Sequence, residues 1–77
     1  MVRAYVLVDT DVGSSPGLIE SIREMAGVET AHVIAGDWDV MVVFDVTEVY
    51  QVLSTTTTAI QELDGVLDTK TYVALDE

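Results

Sequence analysis

The junction Met25-Ala26-Gly27-Val28 is echoed by Leu63-Asp64-Gly65-Val66, about half a chain further on. In each copy a stretch with helical spacing ends at the glycine and an alternating, β-branched stretch begins at the valine. Glycine closes helices because it takes up positive φ at no steric cost. Two such junctions in 77 residues divide the chain into two β-α-β halves, which leaves few ways to fold it.

The flanking segments fill in that frame. Val2 to Asp9 is β-branched and aromatic, with Val2, Ala4, Val6 and Val8 sharing one face, and reads as a strand. Ser15 is placed to cap a helix with Pro16 at its first position, and Leu18, Ile19, Ile22 and Met25 follow at helical spacing up to Gly27. Strands are expected from about Glu29 to Ala35 and from Val40 to Val46, joined by the turn Gly36-Asp37-Trp38-Asp39. Thr47 is expected to cap a second helix bearing Val49, Leu53, Ile60 and Leu63, closed by Gly65. Thr55 to Thr58, a β-branched run, weakens its middle, which tertiary packing must sustain. Val66 to Leu75 is the last strand. The expected class is α+β, a ferredoxin-like βαββαβ fold in which two helices cover one face of a four-stranded antiparallel sheet.

The other sheet face is less regular than a solvated face should be. Strand 1 turns Arg3, Tyr5, Leu7 and Asp9 toward it, and strand 3 adds Met41 and Val43. Tyr5, Leu7, Met41 and Val43 are therefore expected to form an association surface, most simply with a second copy as a two-fold dimer. Size supports this: a chain this short buries only about 60% of its unfolded surface, and small scaffolds lean on disulfides, metals or partners. With no cysteine, the first option is closed, as are thiolate metal sites.

Charge excludes further classes. Fourteen acidic residues against three basic ones (Arg3, Arg23, Lys70) give a net charge of −11. Such a chain cannot neutralise a row of phosphates, so direct nucleic-acid binding and docking on anionic membranes are both ruled against. The longest early apolar run, Ala4 to Val8, ends at Asp9, far short of a signal peptide or transmembrane helix, and a cytoplasmic location is expected. A dispersed acidic excess suits a high-salt, halophilic setting, where screening weakens self-repulsion.

Catalytic chemistry finds no foothold. His32 is the only histidine, and no nucleophile set, phosphate loop or metal motif exists, so an enzyme is not expected and no cofactor is implied. Asp9-Thr10-Asp11 and Asp37-Trp38-Asp39 lack the length and spacing of a calcium loop and read as solvated carboxylates. The turn Gly36-Asp37-Trp38-Asp39 is richer. Its carboxylates can accept from an ammonium group and its indole offers an apolar wall, as an α-amino acid demands. A plain hairpin with the aromatic packed into an interface would look the same.

At these residues the chain resembles the effector (RAM) domain of the Lrp/AsnC transcription regulators. The shared pieces are Ala4 to Val8, Gly27-Val28, Gly36-Asp37-Trp38-Asp39, Asp45, Leu63-Asp64-Gly65-Val66 and Thr69-Lys70-Thr71, in order across nearly the entire chain. Trp38 stands where that family more often has Tyr. The resemblance implies a dimeric α+β barrel and an amino acid bound between dimers by Gly36, Asp37, Trp38, Asp39, Thr69 and Thr71. Asp39 would accept the ammonium, Gly36 allow close approach, and the threonines donate. It also implies a stand-alone effector module, since the chain starts one residue before the first strand and leaves no room for a helix-turn-helix. Such a module would act through partners, full-length Lrp/AsnC regulators among them. A purely structural assembly module and an ACT-type amino-acid domain, which shares βαββαβ and a Pro-Gly-Leu helix entry, are the competing expectations.

Overall fold

The computed structural model describes residues 1–76, with only the backbone of Thr57. Strand β1 spans Val2–Thr10, helix α1 Ser15–Arg23, strand β2 Val28–Val33, strand β3 Val40–Val46, helix α2 Val49–Ser54 and strand β4 Val66–Val73. A π-helical segment, Thr55–Ile60, continues α2. The sheet order is β2-β3-β1-β4, and every neighbouring pair is antiparallel. This is the ferredoxin-like α+β arrangement, with both β-α-β halves recovered.

The repeated junctions close as their glycines require. Gly27 has φ +86° and Gly65 φ +98°. A Cβ on Gly27 would stand 2.7 Å from Val46 Cγ1, and one on Gly65 3.0 Å from the Ser14 side chain. Conformation and crowding thus both select glycine where each helical layer returns to the sheet.

Helix-side positions of the two central strands are sealed. Ala4, Val6 and Val8 on β1, and Val40, Val42 and Phe44 on β3, are all 0% exposed. Leu18, Ile19 and Ile22 of α1 and Val52 and Ile60 of the second helical layer cover them. At about 25 cal/mol per Å² of apolar surface, this single cluster is the main source of stability.

Helix ends depart from the expected caps. Ser14, not Ser15, is the α1 N-cap, and Pro16 sits in the first turn, where its missing N–H costs nothing. Helix α1 ends at Arg23, so Gly27 shapes the following turn and does not stop the helix directly. At the second helix Glu48, not Thr47, is the N-cap. Gln51 Oε1 there accepts from the Glu48 N–H at 3.0 Å, the Thr47 N–H at 3.0 Å and the Thr47 hydroxyl at 2.9 Å. One side chain so satisfies donors that the helix start leaves orphaned.

The second helix buries only part of the expected stripe: Ile60 is sealed and Leu63 packs against the core, but Val49 and Leu53 do not. Val52, Thr56 and Ile60 face the sheet, while Val49 and Leu53 remain 40% and 49% exposed. Among the crowded threonines the helix widens, and the Gln61 N–H reaches back to the Thr56 carbonyl at 3.0 Å. The Thr55 hydroxyl donates to the Ala26 carbonyl at 3.3 Å. Thr56 is 3% exposed, and its hydroxyl has no partner among the described residues.

Candidate functional site

The turn between β2 and β3 is pinned at both ends. The Ile34 N–H donates to the Asp39 carbonyl at 2.8 Å, closing a loop of Ala35, Gly36, Asp37 and Trp38. The Asp39 N–H donates to the Val8 carbonyl at 3.0 Å, tying the loop to β1. The Asp39 side chain reinforces this tie: Oδ2 accepts from the Thr10 N–H at 2.8 Å and from its hydroxyl at 3.1 Å. Thr10, 7% exposed, is in this way a satisfied buried polar residue. Gly36 and Asp37 are exposed and Trp38 is half-buried. A Cβ on Gly36 would meet nothing within 4 Å, so the approach to the loop backbone is open.

Electrostatics at this end are one-sided. Asp9 and Asp39 interact through their carboxyl groups, and Asp68 is the register partner of Asp9 on β4. Partial burial, then the hydrogen bond and charge of Asp39 and the charge of Asp68, raise the Asp9 carboxyl above the usual carboxylate range. The Thr10 N–H and then its hydroxyl hold Asp39 below that range, against its own burial. Asp39 therefore gives up its proton more readily than Asp9. Lys70, one step along β4 from this group, turns its ammonium toward the Tyr72 ring, 5.7 Å from the centroid. This corner accepts a cation, and its carboxylates repel an anion.

The threonines are on the helix side. Thr69 and Thr71 are register partners of Val8 and Val6, both fully buried beneath the helices, and are themselves half-buried. Thr69 lies at the same end of the sheet as the turn, with one central strand between them, and its hydroxyl accepts from Gln61 Nε2 at 2.8 Å. Thr71 sits one inward-facing row deeper. The structure thus brings Gly36, Asp37, Trp38, Asp39 and Thr69 to one end of the sheet and leaves Thr71 nearer its middle. Asp9 and Thr10 belong to the same constellation: they end strand β1 and meet Asp39, and are not the solvated loop that Asp9-Thr10-Asp11 suggests in the sequence. The signal available was the Asp9-Thr10 pair at the end of β1, which carries meaning only once β1 and β3 are in register.

On the open sheet face, Tyr5 pairs with Val43 and Leu7 with Met41, all half-buried. Arg3 and Asp45 are register partners at one end of this patch and Asp9 closes the other. The Arg3 guanidinium meets Glu29 at 3.0 Å and Asp45 at 3.8 Å, and these carboxylates raise its already high pKa, Glu29 most. His32, exposed on β2, is the register partner of Met41. Among the described residues no group of three or more His, Cys, Asp or Glu is arranged to hold a metal ion, and no helix is long and apolar enough to cross a membrane.

Comparison with known proteins agrees with the motif pattern. The family model for the Lrp/AsnC ligand binding domain matches residues 3–77. The solved structure of TTHA0845 from Thermus thermophilus is 26% identical, with a TM-score of 0.94 over 100% of this chain and 96% of that one. PHS023 from Pyrococcus horikoshii is also 26% identical, with a TM-score of 0.88 over 100% of this chain and 93% of that one. The transcriptional regulator NMB0573 of Neisseria meningitidis, solved as a complex with L-Met, shares the fold at 17% identity and a TM-score of 0.85. This chain is covered to 99% in that match and spans 51% of the regulator. No curated protein matches the chain. With the family model covering all but the first two residues, the chain belongs to the Lrp/AsnC ligand-binding-domain family.

Proposed function

We propose that this domain is an effector-binding and oligomerisation module that takes an amino acid at a subunit interface and acts on transcription through partner proteins, full-length Lrp/AsnC regulators among them. The observation that carries the reading is the acidic end of the sheet. There Thr10 favours the ionised form of Asp39, which stands beside Asp9, Asp37 and the Trp38 indole. A carboxylate kept ionised next to an aromatic wall suits an α-ammonium and an apolar side chain. The relative solved with L-Met supports this choice of ligand class.

The same charge distribution says what one chain lacks. Among the described residues nothing cationic faces the turn, so the ligand's carboxylate must be met by neutral donors or by a second subunit. That is the physical reason for placing the site between copies. The open sheet face supplies the first association, with Tyr5, Leu7, Met41 and Val43 at its centre and charges at its ends, the distribution expected of an interface core and rim.

One observation favours a second reading, a purely structural assembly module: Asp39 already has a structural task at Thr10. Calorimetry against the twenty amino acids separates the two. The effector module gives saturable heat for at least one amino acid and a higher melting temperature with that ligand, by RT ln(1 + [L]/Kd). No heat and no shift from any of them leaves the structural module.

A further inference from the structure

Lys and Arg supply three cationic side chains to the whole chain, and two of them are committed to near neighbours. Arg23 donates to the Ala31 carbonyl at 3.1 Å and meets Glu20 at 3.5 Å, and Lys70 lies over the Tyr72 ring. The third, Arg3, lines a cavity of about 330 Å³ at the end of the sheet away from the Gly36 turn. Asp45 and Asp76 line it as well, and Val2, Tyr5 and Leu75 supply its apolar wall. Strand register builds this setting. Arg3 is the partner of Asp45 on β3, and its carbonyl accepts from the Ala74 N–H at 2.9 Å where the chain leaves β4. Arg3 Nη2 and Asp45 Oδ2 stand 3.8 Å apart. The shorter contact of Arg3, to Glu29 at 3.0 Å, joins two exposed side chains, and such a pair contributes little in water. Another carboxylate can take the place of Glu29 on the planar fork of the guanidinium.

We propose that this cavity binds a small zwitterion, an α-amino acid with an apolar side chain, whose carboxylate lies on Arg3 and whose ammonium lies on Asp45 and Asp76. Opposite charges set side by side match a ligand whose own two charges are joined through a single carbon. Val2, Tyr5 and Leu75 then receive its side chain. The site is separate from the turn: six residues of extended β1 lie between Arg3 and Asp9, about 20 Å, and no residue is shared. It stands whether or not the turn binds a ligand. Its chemistry differs too, because here both charges of the ligand find an opposite charge within one chain. A ligand bearing only a carboxylate is repelled by the two aspartates, and one bearing only an ammonium is repelled by Arg3.

Titration of the isotope-labelled full chain with L-leucine, followed through its amide NMR shifts, tests this. The amides of Arg3, Asp45 and Ala74 should move along one saturable curve, and equally so in Asp39→Asn, which leaves this end of the sheet untouched. Isocaproate, which is leucine without its amino group, and isopentylamine, which is leucine without its carboxylate, should each bind at least about tenfold more weakly. Arg3→Gln and Asp45→Asn should each weaken leucine by a similar factor, with circular dichroism confirming the fold. Should Arg3→Gln fold poorly, Arg3→Lys keeps the charge, loses the fork and should still weaken binding several-fold. If leucine leaves the Arg3, Asp45 and Ala74 amides in place, or if the variants bind it there as wild type does, the cavity is no zwitterion site. Shifts at Gly36 to Asp39 that vanish in Asp39→Asn while those at Arg3 persist bear on the turn alone.

Discussion

The two faces of the β1–β3 ribbon are built from the same strands to different ends. Toward the helices the pair presents Ala4, Val6, Val8, Val40, Val42 and Phe44, all sealed by the chain's own helices. Toward the open side it presents Tyr5, Leu7, Met41 and Val43, with Arg3, Asp45 and Asp9 at the ends of the rows. The inner residues are mostly β-branched and stiff, which suits a fixed interior; the outer ones include Met and Tyr, which adapt to a partner. One face is closed by the chain's own helices and the other stays half-buried. Two buried threonines repeat the contrast: Thr10 is satisfied by Asp39 from the turn, and the Thr56 hydroxyl has no partner among the described residues.

That difference can be broken first from the inside. Phe44→Ala removes the largest fully buried side chain and should lower unfolding free energy by about 3–5 kcal/mol, read by chemical denaturation. Leu7→Asp, on the same ribbon but the other face, should leave the monomer folded while placing an unpaired carboxylate in the interface. Association should weaken by several kcal/mol, roughly 3–5, seen as dissociation in light scattering. If Leu7→Asp unfolds the chain as Phe44→Ala does, the open face is part of the core and the distinction fails.

At the corner where the faces meet, Asp39→Asn keeps the side chain's shape and removes its charge. A charge-assisted hydrogen bond contributes about 1.5–3 kcal/mol, so amino-acid affinity should fall about 10- to 150-fold in calorimetry, with the dimer intact. Thr69→Val and Thr71→Val should each cost less, since both lie on the helix side. Asp39→Asn binding as wild type does would leave the turn a purely structural tie. Thr56→Val sharpens the inner face: it removes an unpartnered hydroxyl at constant shape and should raise stability by about 1 kcal/mol, seen as a higher denaturation midpoint.

The smallest effect is in pH. Asp9 is raised in the folded state, so its contribution is fully present only in acid and is lost as pH rises through its folded value. Asp39 is lowered, so its contribution is present above the ordinary carboxylate range and is lost as pH falls through its folded value. Together they place a shallow stability maximum near the ordinary carboxylate range. Asp9→Asn should flatten the limb above it and leave the acid limb, in melts run across pH. An unchanged profile would mean that the pair is not coupled through the fold.

Strand β3 was legible to the residue, Val40–Val46, because its alternation is unbroken and a turn precedes it. The order of elements and both glycine junctions were legible for the same local reason. The second helix was not, because two apolar stripes compete in it. Val49 and Leu53 are as apolar as Val52 and Ile60, and only the position of the sheet decides which pair is buried. The turn at Gly36 to Asp39 was visible as a motif, but its link to Thr10 spans 29 positions and depends on strand register.

The sequence by itself determined the periods, where strands alternate and where glycine must turn the chain, and it fixed a net charge of −11. These follow from single residues and their near neighbours, whose preferences act without the rest of the fold. Tertiary structure decided which face each residue meets. It turned Thr69 and Thr71 toward the helices, gave Asp39 to Thr10, widened the helix at the threonine run and left Tyr50 exposed. Those outcomes depend on register and on competition between apolar stripes for one core. Both are settled only when all the elements pack at once.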